Sequence, residues 1–331
     1  MSKIHVDFIR GKEVESTHIV KVLVTNINGK NLLSTNNDNE YFFPRSSIKI
    51  FQAIPFAMSN AIKNYKLNNK HIALACASHK GEKFHIRELK KWILKINLER
   101  KNLQCGIHEP LDKKASEKII YSRKEFNELH NNCAGKHLAM LTSCLVNNQS
   151  IKNYLDYDHI HQKNIRKIFN KFTETKLSKK NFSLDGCSAP QYSFKIKSIS
   201  KALNNLIRSY KNKYNYTKQV RTLVNSILEN PEYIGGTSSF DTKVMKASNG
   251  KIFCKNGAEG VFLFIDIEKE ISGVIKITDG NERAIPIAII SIFKKLKIMN
   301  KEELKNLEKK EKFDLQNHAG KKIGSIRLTM K

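Results

Sequence analysis

The chain has 331 residues, 40% of them hydrophobic, and a formal net charge of +28. That is enough apolar material for a substantial core, and no apolar run reaches the ~18 residues a membrane-spanning helix needs. The charge alone points to nucleic acid or an anionic surface, but the lysines are spread along the whole chain among acids, asparagines and isoleucines, with no arginine-rich arm; they read as solvated faces, and neither a nucleic-acid nor a membrane partner is expected.

The first residues, MSKIHVDFIRGKEVES, are charged too early for a secretion signal, so a cytoplasmic protein is expected. KIHVDFIRG and HIVKVLVTNING carry β-branched residues and end in turn signals, which predicts two strands. After Pro44 the apolar spacing of SSIKIFQAIPFAMSNAIKNY turns helical, with Pro55 placed to kink it. HIALACAS reads as a short buried strand that ends in the polar turn SHKGE. From His85 to Asn97, Ile86, Leu89, Trp92, Ile93 and Ile96 share one helical face.

The centre is mainly helical: around Glu125, then over 133–147, 160–173, 198–210 and 218–228, with the turn-rich LDGCSAP between. Strands return in GKIFCKN, GVFLFIDIE and SGVIKITDG; helices follow from Arg283 and Lys301, and GSIRLTMK closes as a short strand. Strands at both ends around a helical centre predict an α+β fold in which N- and C-terminal strands share one antiparallel sheet, flanked by helices and interrupted by a helical insertion. No compositional boundary appears, so residues 1–331 are read as one continuous domain.

Five segments carry candidate chemistry. In Pro44 to Lys49, PRSSIK, Ser46 and Lys49 lie three apart and share a helical face. A serine is a weak nucleophile until a base takes its proton, and a lysine serves as that base when burial or neighbouring cations leave it uncharged. The plain alternative is a helix-capping serine followed by a solvated lysine. In ALACASHKGE, Ser78 and His79 sit where the predicted strand gives way to a turn, a usual place for site residues. HNNCAGKH puts Cys133, Lys136 and His137 on one face of the next helix, and DGCSAP supplies Asp185 and Cys187. One thiolate from each segment, with nitrogen or oxygen donors, makes a possible Zn²⁺ shell; two buried structural cysteines are the competing account. In KNGAEG, Lys255 precedes a tight turn and enters from a strand edge. The six cysteines are otherwise expected to be small buried hydrophobes, not disulfides.

Taken together, RSSIKIFQAIPF, ALACASHKGE, LQCGIHEPLD, HNNCAGKH, DGCSAP, GGTSSFDT, CKNGAEGVF and TDGNERAIP, in this order from Arg45 to Pro286, resemble the asparaginase II family, the class 3 L-asparaginases. The resemblance implies a serine-β-lactamase-like fold, a homodimer, and hydrolysis of L-asparagine to L-aspartate and ammonia. It places two serine–lysine tandems on Ser46 with Lys49 and on Ser78 with Lys255, and a Zn²⁺ site on Cys133, Lys136 and Cys187. Arg45, His137 and Asp185 fall where the family has residues around substrate and metal. Ser46 is the expected nucleophile and Ser78 its rival. A glutaminase or β-lactam-recognising hydrolase is the alternative within this chemistry, and a non-catalytic metal- or nucleic-acid-binding protein on the same scaffold is the alternative outside it. DYDHIHQKN departs from the family segment that has a proline after the histidine, and Lys80 alters the field beside Ser78.

Overall fold

A computed structural model describes residues 3–331, which form two compact units. Of these, the first comprises residues 3–47, 194–207 and 243–331, the second 48–193 and 208–242.

The first unit is built on the predicted sheet. Its strands run, neighbour to neighbour, Asp314–Gln316, Lys322–Met330, Ile4–Arg10, Glu13–Asn26, Ile271–Ile277, Val261–Asp266 and Ile252–Gly257, with Asn31–Ser34 also paired to Glu13–Asn26. Every pairing is antiparallel. The 14-residue strand Glu13–Asn26 joins the two ends of the chain: its first half pairs with Ile4–Arg10 and its second with Ile271–Ile277, His5 opposite Ile19 and Ile277 opposite Val20. The tail segment read as GSIRLTMK is the nine-residue strand Lys322–Met330, in register with the amino-terminal strand from Ile4 opposite Met330 to Arg10 opposite Gly324.

Val261–Asp266 is buried along its whole length, and its apolar residues explain why no alternation shows in VFLFID. The Phe264 ring lies so close to Gly273 on the neighbouring strand that a Cβ there would fall 2.1 Å from it; Phe293 of the helix Ile285–Lys295 meets Phe264 edge-on at 4.9 Å. Thr25, Ser200, Asn204 and Ser272 form a buried hydrogen-bonded group: Asn204 Nδ2 donates to Thr25 Oγ1 at 3.0 Å and Ser272 Oγ to Asn204 Oδ1 at 2.8 Å. Because each member is satisfied, the group fixes which helix turn meets the sheet at little cost.

The second unit is helical, with Lys49–Met58, Asn69–Leu74, Lys83–Lys95, Ala134–Val146, Ile160–Thr173 and Thr217–Glu229 as its main elements and one small hairpin, Phe182–Leu184 with Pro190–Tyr192. Trp92 is fully buried and its Nε1 donates to Thr142 Oγ1 at 3.0 Å, tying the amphipathic helix to Ala134–Val146. Pro55 sits inside Lys49–Met58, as predicted.

Two local expectations are corrected. HIALACAS is not a strand: residues Asn69–Leu74 are helical, because Asn68 accepts from the His71 N–H while the His71 ring accepts from the Asn68 N–H, a reciprocal cap that outweighs the strand-like run of apolar residues. Glu125 is not helical either; the helix there is Lys113–Tyr121, started by the Asp112 side chain, and Glu125 lies in the irregular stretch after it.

Candidate active site

Lys49 opens the helix that follows the 3-10 turn Arg45–Ile48 and is 1% exposed. Its Nζ donates to the Ala77 carbonyl, to Ser78 Oγ at 2.9 Å and to Cys133 Sγ at 3.2 Å. These partners take all three hydrogen-bonding directions of the nitrogen. If the amine is uncharged, two N–H groups and one lone pair face the same partners, and of the three only the serine and the thiol have a proton to give.

Two chain segments meet Lys49 and a third meets Cys133, each for a local reason. Ser78 follows the short Asn69–Leu74 helix, and its N–H donates to Ile234 O at 2.8 Å. Cys133 precedes Ala134–Val146; its N–H donates to Asn131 Oδ1 at 2.9 Å, while Asn131 Nδ2 donates to Cys105 O at 2.8 Å. The block LQCGIHEPLD therefore serves as a brace for the HNNC turn. Gly135 has no room for a side chain: a Cβ would lie 2.1 Å from Leu74 O. That contact of backbone on backbone brings Cys133 to the segment carrying Ser78. Cys187 comes from the hairpin turn between Phe182–Leu184 and Pro190–Tyr192, where Ser188 takes a left-handed φ of 64° and Asp185 N–H donates to Ala189 O at 2.9 Å.

The two cysteines and Lys136 are within contact of one another. Lys136 Nζ lies 3.0 Å from Cys187 Sγ, and the Cys133 thiol is hydrogen-bonded to Cys187. That bond, reinforced by Lys136, holds Cys187 well below the usual thiol range as the thiolate. The same bond and then burial push Cys133 up, so it keeps its proton. Burial opposes charge on Lys136, but the two sulfurs and Asp185 outweigh it and hold the amine above its ordinary value. Two sulfurs and an amine, buried and mutually in contact, are a donor set suited to Zn²⁺ once Cys133 and Lys136 have given up their protons. Among the described residues no three His, Cys, Asp or Glu side chains converge; the third donor here is a lysine.

His137 is fully buried. Tyr154 Oη accepts from the Gln104 N–H at 2.9 Å and lies 2.6 Å from His137 Nδ1, a hydrogen bond that either partner can donate. Where Tyr154 is the donor, the His137 proton is on Nε2, which has no protein partner among the described residues. Burial, and then Lys136, lower its pKa to about 3, so the ring is neutral. Tyr154 and Asn131 were not predicted as part of the site; neither lies in a spacing that distinguishes it from other buried polar residues.

Lys49, Ser78, Cys133, Lys136, His137, Asp185 and Cys187 thus belong to the second unit, whereas Arg45, Ser46 and Lys255 belong to the first. There the strand Ile252–Gly257 passes so close to the turn before Ser46 that a Cβ on Gly257 would fall 2.5 Å from Pro44 O. Lys255 is 2% exposed and its Nζ donates to Asn256 O at 3.2 Å. Arg45 has a φ of 52°, a left-handed conformation that costs a non-glycine residue about 1 kcal/mol or more and turns the chain sharply into Ser46.

A buried lysine amine on a serine hydroxyl, with a thiol and a second lysine close by, is a site equipped for nucleophilic attack on a carbonyl group. The L-asparaginase II family model matches residues 6–328, nearly the whole chain, and the protein belongs to that family of amide hydrolases. No curated protein sequence matches it. Among solved structures it is similar to a β-lactamase from Mycobacterium bovis, with a TM-score of 0.44 and 10% identity over 84% of this chain and 94% of that one. It is also similar to a β-lactamase from Sphaerobacter thermophilus, with a TM-score of 0.41 and 10% identity over 86% and 93%.

Proposed function

We propose that the protein hydrolyses L-asparagine to L-aspartate and ammonia by serine–lysine chemistry, as a cytoplasmic homodimer that carries Zn²⁺ on Cys133, Lys136 and Cys187. The observation that carries this reading is the buried Lys49 Nζ 2.9 Å from Ser78 Oγ, in a chain of the L-asparaginase II family. Lys49, as the base, takes the Ser78 proton, the oxygen attacks the side-chain amide carbon, and the resulting oxyanion needs donors in place before it forms. His137, neutral and with no protein partner on Nε2 among the described residues, is a donor for a substrate oxygen in the tautomer that carries its proton there. The lysine returns its proton to the departing ammonia, and water resolves the acyl-enzyme. Zn²⁺, when bound, supplies a fixed positive charge for the substrate and keeps its two sulfurs deprotonated.

A second reading has Ser46 attack, with Lys49, three residues further along the chain, as its base. The left-handed backbone at Arg45 favours it, because strain of this kind collects where a side chain must be aimed. Ammonia release from L-asparagine by wild type, Ser46→Ala and Ser78→Ala separates the two: the nucleophile is the serine whose loss abolishes both turnover and the acyl-enzyme seen by mass spectrometry. Full activity in both variants would end the serine–lysine reading. L-glutamine and nitrocefin run alongside test the neighbouring substrate classes; turnover of either in preference to L-asparagine would displace the assignment.

A further inference from the structure

Two fully buried histidines next to Ser78 are used by no step above. His79 follows Ser78 directly, and its Nδ1 accepts from the Gly81 N–H at 3.1 Å. A neutral ring that accepts at Nδ1 carries its proton on Nε2, and His79 Nε2 has no partner among the described residues. His85, on the helix Lys83–Lys95, lies with Nε2 at 3.0 Å from Glu232 O, which can only accept. Its proton is therefore also on Nε2, and its Nδ1 lone pair is the atom without a partner. The two rings stack, 5.2 Å between centroids and 26° between planes. An open donor on one ring and an open acceptor on the next, both cut off from bulk water, are complementary, and leaving both unmade would cost several times what one ordinary hydrogen bond contributes.

Burial keeps both imidazoles uncharged: His79, with His85 and Lys49 acting in the same direction, is lowered well below the ordinary histidine range, and His85 is lowered to about 4 although the Glu232 carbonyl and nearby carboxylates oppose it. The segment they belong to is already gripped from outside. Ser78 N–H donates to Ile234 O at 2.8 Å, and Glu82 accepts from Thr237 N–H at 2.8 Å and from Thr237 Oγ1 at 2.9 Å. Gly236 permits that grip, since a Cβ there would fall 2.6 Å from Glu82 Oε1. The histidine pair closes the same turn from within.

We propose that His79 and His85 are a neutral pair, each locked with its proton on Nε2 and joined donor to acceptor through one buried water, and that the pair positions the Ser78 hydroxyl for Lys49. Stacked rings cannot bond to each other edge to edge, and a water with two polar partners in a closed polar space is the usual solution. Both residues are positioning residues, since neither touches the reacting atoms. The inference rests on the reading of Ser78 as a hydroxyl that works with Lys49.

The test has two arms on the full-length protein. Ring-nitrogen NMR of histidine-labelled protein reads the tautomers without reference to activity: both rings should show protonated Nε2 and bare Nδ1 from pH 8 to pH 6. A proton on Nδ1 of either ring, or a charged ring at pH 7, overturns the pair. Kinetics with L-asparagine then compare His85→Phe, which removes the acceptor, with His85→Asn, whose Oδ1 can replace it. Misplacing a reacting group by about an ångström costs up to ~100-fold, so His85→Phe should lower kcat about 10- to 100-fold with KM within about twofold, and His85→Asn should recover most of that loss. A folded His85→Phe protein with wild-type kcat refutes the positioning role, as does equal loss in both variants in proportion to their loss of thermal stability. In a Ser78→Ala background His85→Phe should add nothing. If Ser78→Ala alone retains full activity, it is the reading of Ser78 that fails, while the NMR arm still decides whether the pair exists.

Discussion

Replacing His161 in the helix Ile160–Thr173 should make the protein more resistant to acid. His161 is 1% exposed, its Nε2 has no partner among the described residues, and burial, with a further contribution from His159, holds its pKa down to about 3. In the unfolded chain a histidine titrates near ~6.5. The unfolded state therefore binds the proton more tightly, so the folded state has its full stability above ~pH 6.5 and loses it as the pH falls towards the folded value. Each pH unit in that window removes about 1.4 kcal/mol, so going from pH 7 to pH 5 should cost the wild type about 2 kcal/mol through this one side chain. His161→Met keeps a similar volume and removes the proton site. Any packing change it brings is common to both pH values and cancels in the comparison. Urea unfolding followed by circular dichroism at pH 7 and pH 5 measures it: the wild type should lose about 2 kcal/mol more than the variant between the two. Equal losses would mean that His161 pays no charging penalty on folding and would refute the argument. His71, His85 and His137 are displaced in the same direction, to about 4, about 4 and about 3, and His79 is lowered well below the ordinary histidine range, so the wild type should unfold in mild acid.

Lys49→Met preserves the buried stem and removes the base; turnover of L-asparagine should fall ~10²- to ~10⁴-fold while the thermal midpoint moves little, and near wild-type turnover would remove Lys49 from the mechanism. Gly135→Ala puts a Cβ 2.1 Å from Leu74 O; because both sides are backbone, it should destabilise by about 3 kcal/mol or more, seen as a lower denaturant midpoint, and wild-type stability would contradict the close helix contact. Cys133→Ala and Cys187→Ala should each abolish stoichiometric zinc by metal analysis; zinc retained in either would exclude that sulfur as a ligand. Because Cys133 and Lys136 hold protons in the metal-free site, zinc affinity should weaken as the pH falls, and a pH-independent competition titration would show that Lys136 is not displaced from its proton.

Much of this protein can be read in its sequence because the signals concerned are local. Period-two runs and Asn-Gly turns mark the strands of both chain ends, and apolar spacing marks the helices of the middle, with Ile160–Thr173 matching residue for residue. The site residues were legible only as separate short blocks whose order resembles a family; no spacing within any one of them distinguishes Ser78 from a turn serine or Cys187 from a buried hydrophobe. The strand expected at HIALACAS shows why apolar content is a poor guide in a short segment: a side-chain cap three residues wide, Asn68 with His71, decides the backbone instead.

Tertiary structure decided the rest, since it depends on atoms far apart in the chain. That Lys49 reaches Ser78 and Cys133 follows from the absence of a side chain at Gly135, and no period in the sequence encodes a distance from Gly135 to Leu74 O. The protonation pattern of the site is also a tertiary property: Cys187 is the thiolate and Cys133 the thiol because one donates to the other beside Lys136, whereas as isolated residues the two are chemically identical. The same holds for His85, whose tautomer is set by the Glu232 carbonyl 147 residues away in the chain, whereas that of His79 is set by Gly81, its near neighbour in sequence. The sequence determined which groups are available; burial and the direction of each hydrogen bond determined their charge, and with it the chemistry they can perform.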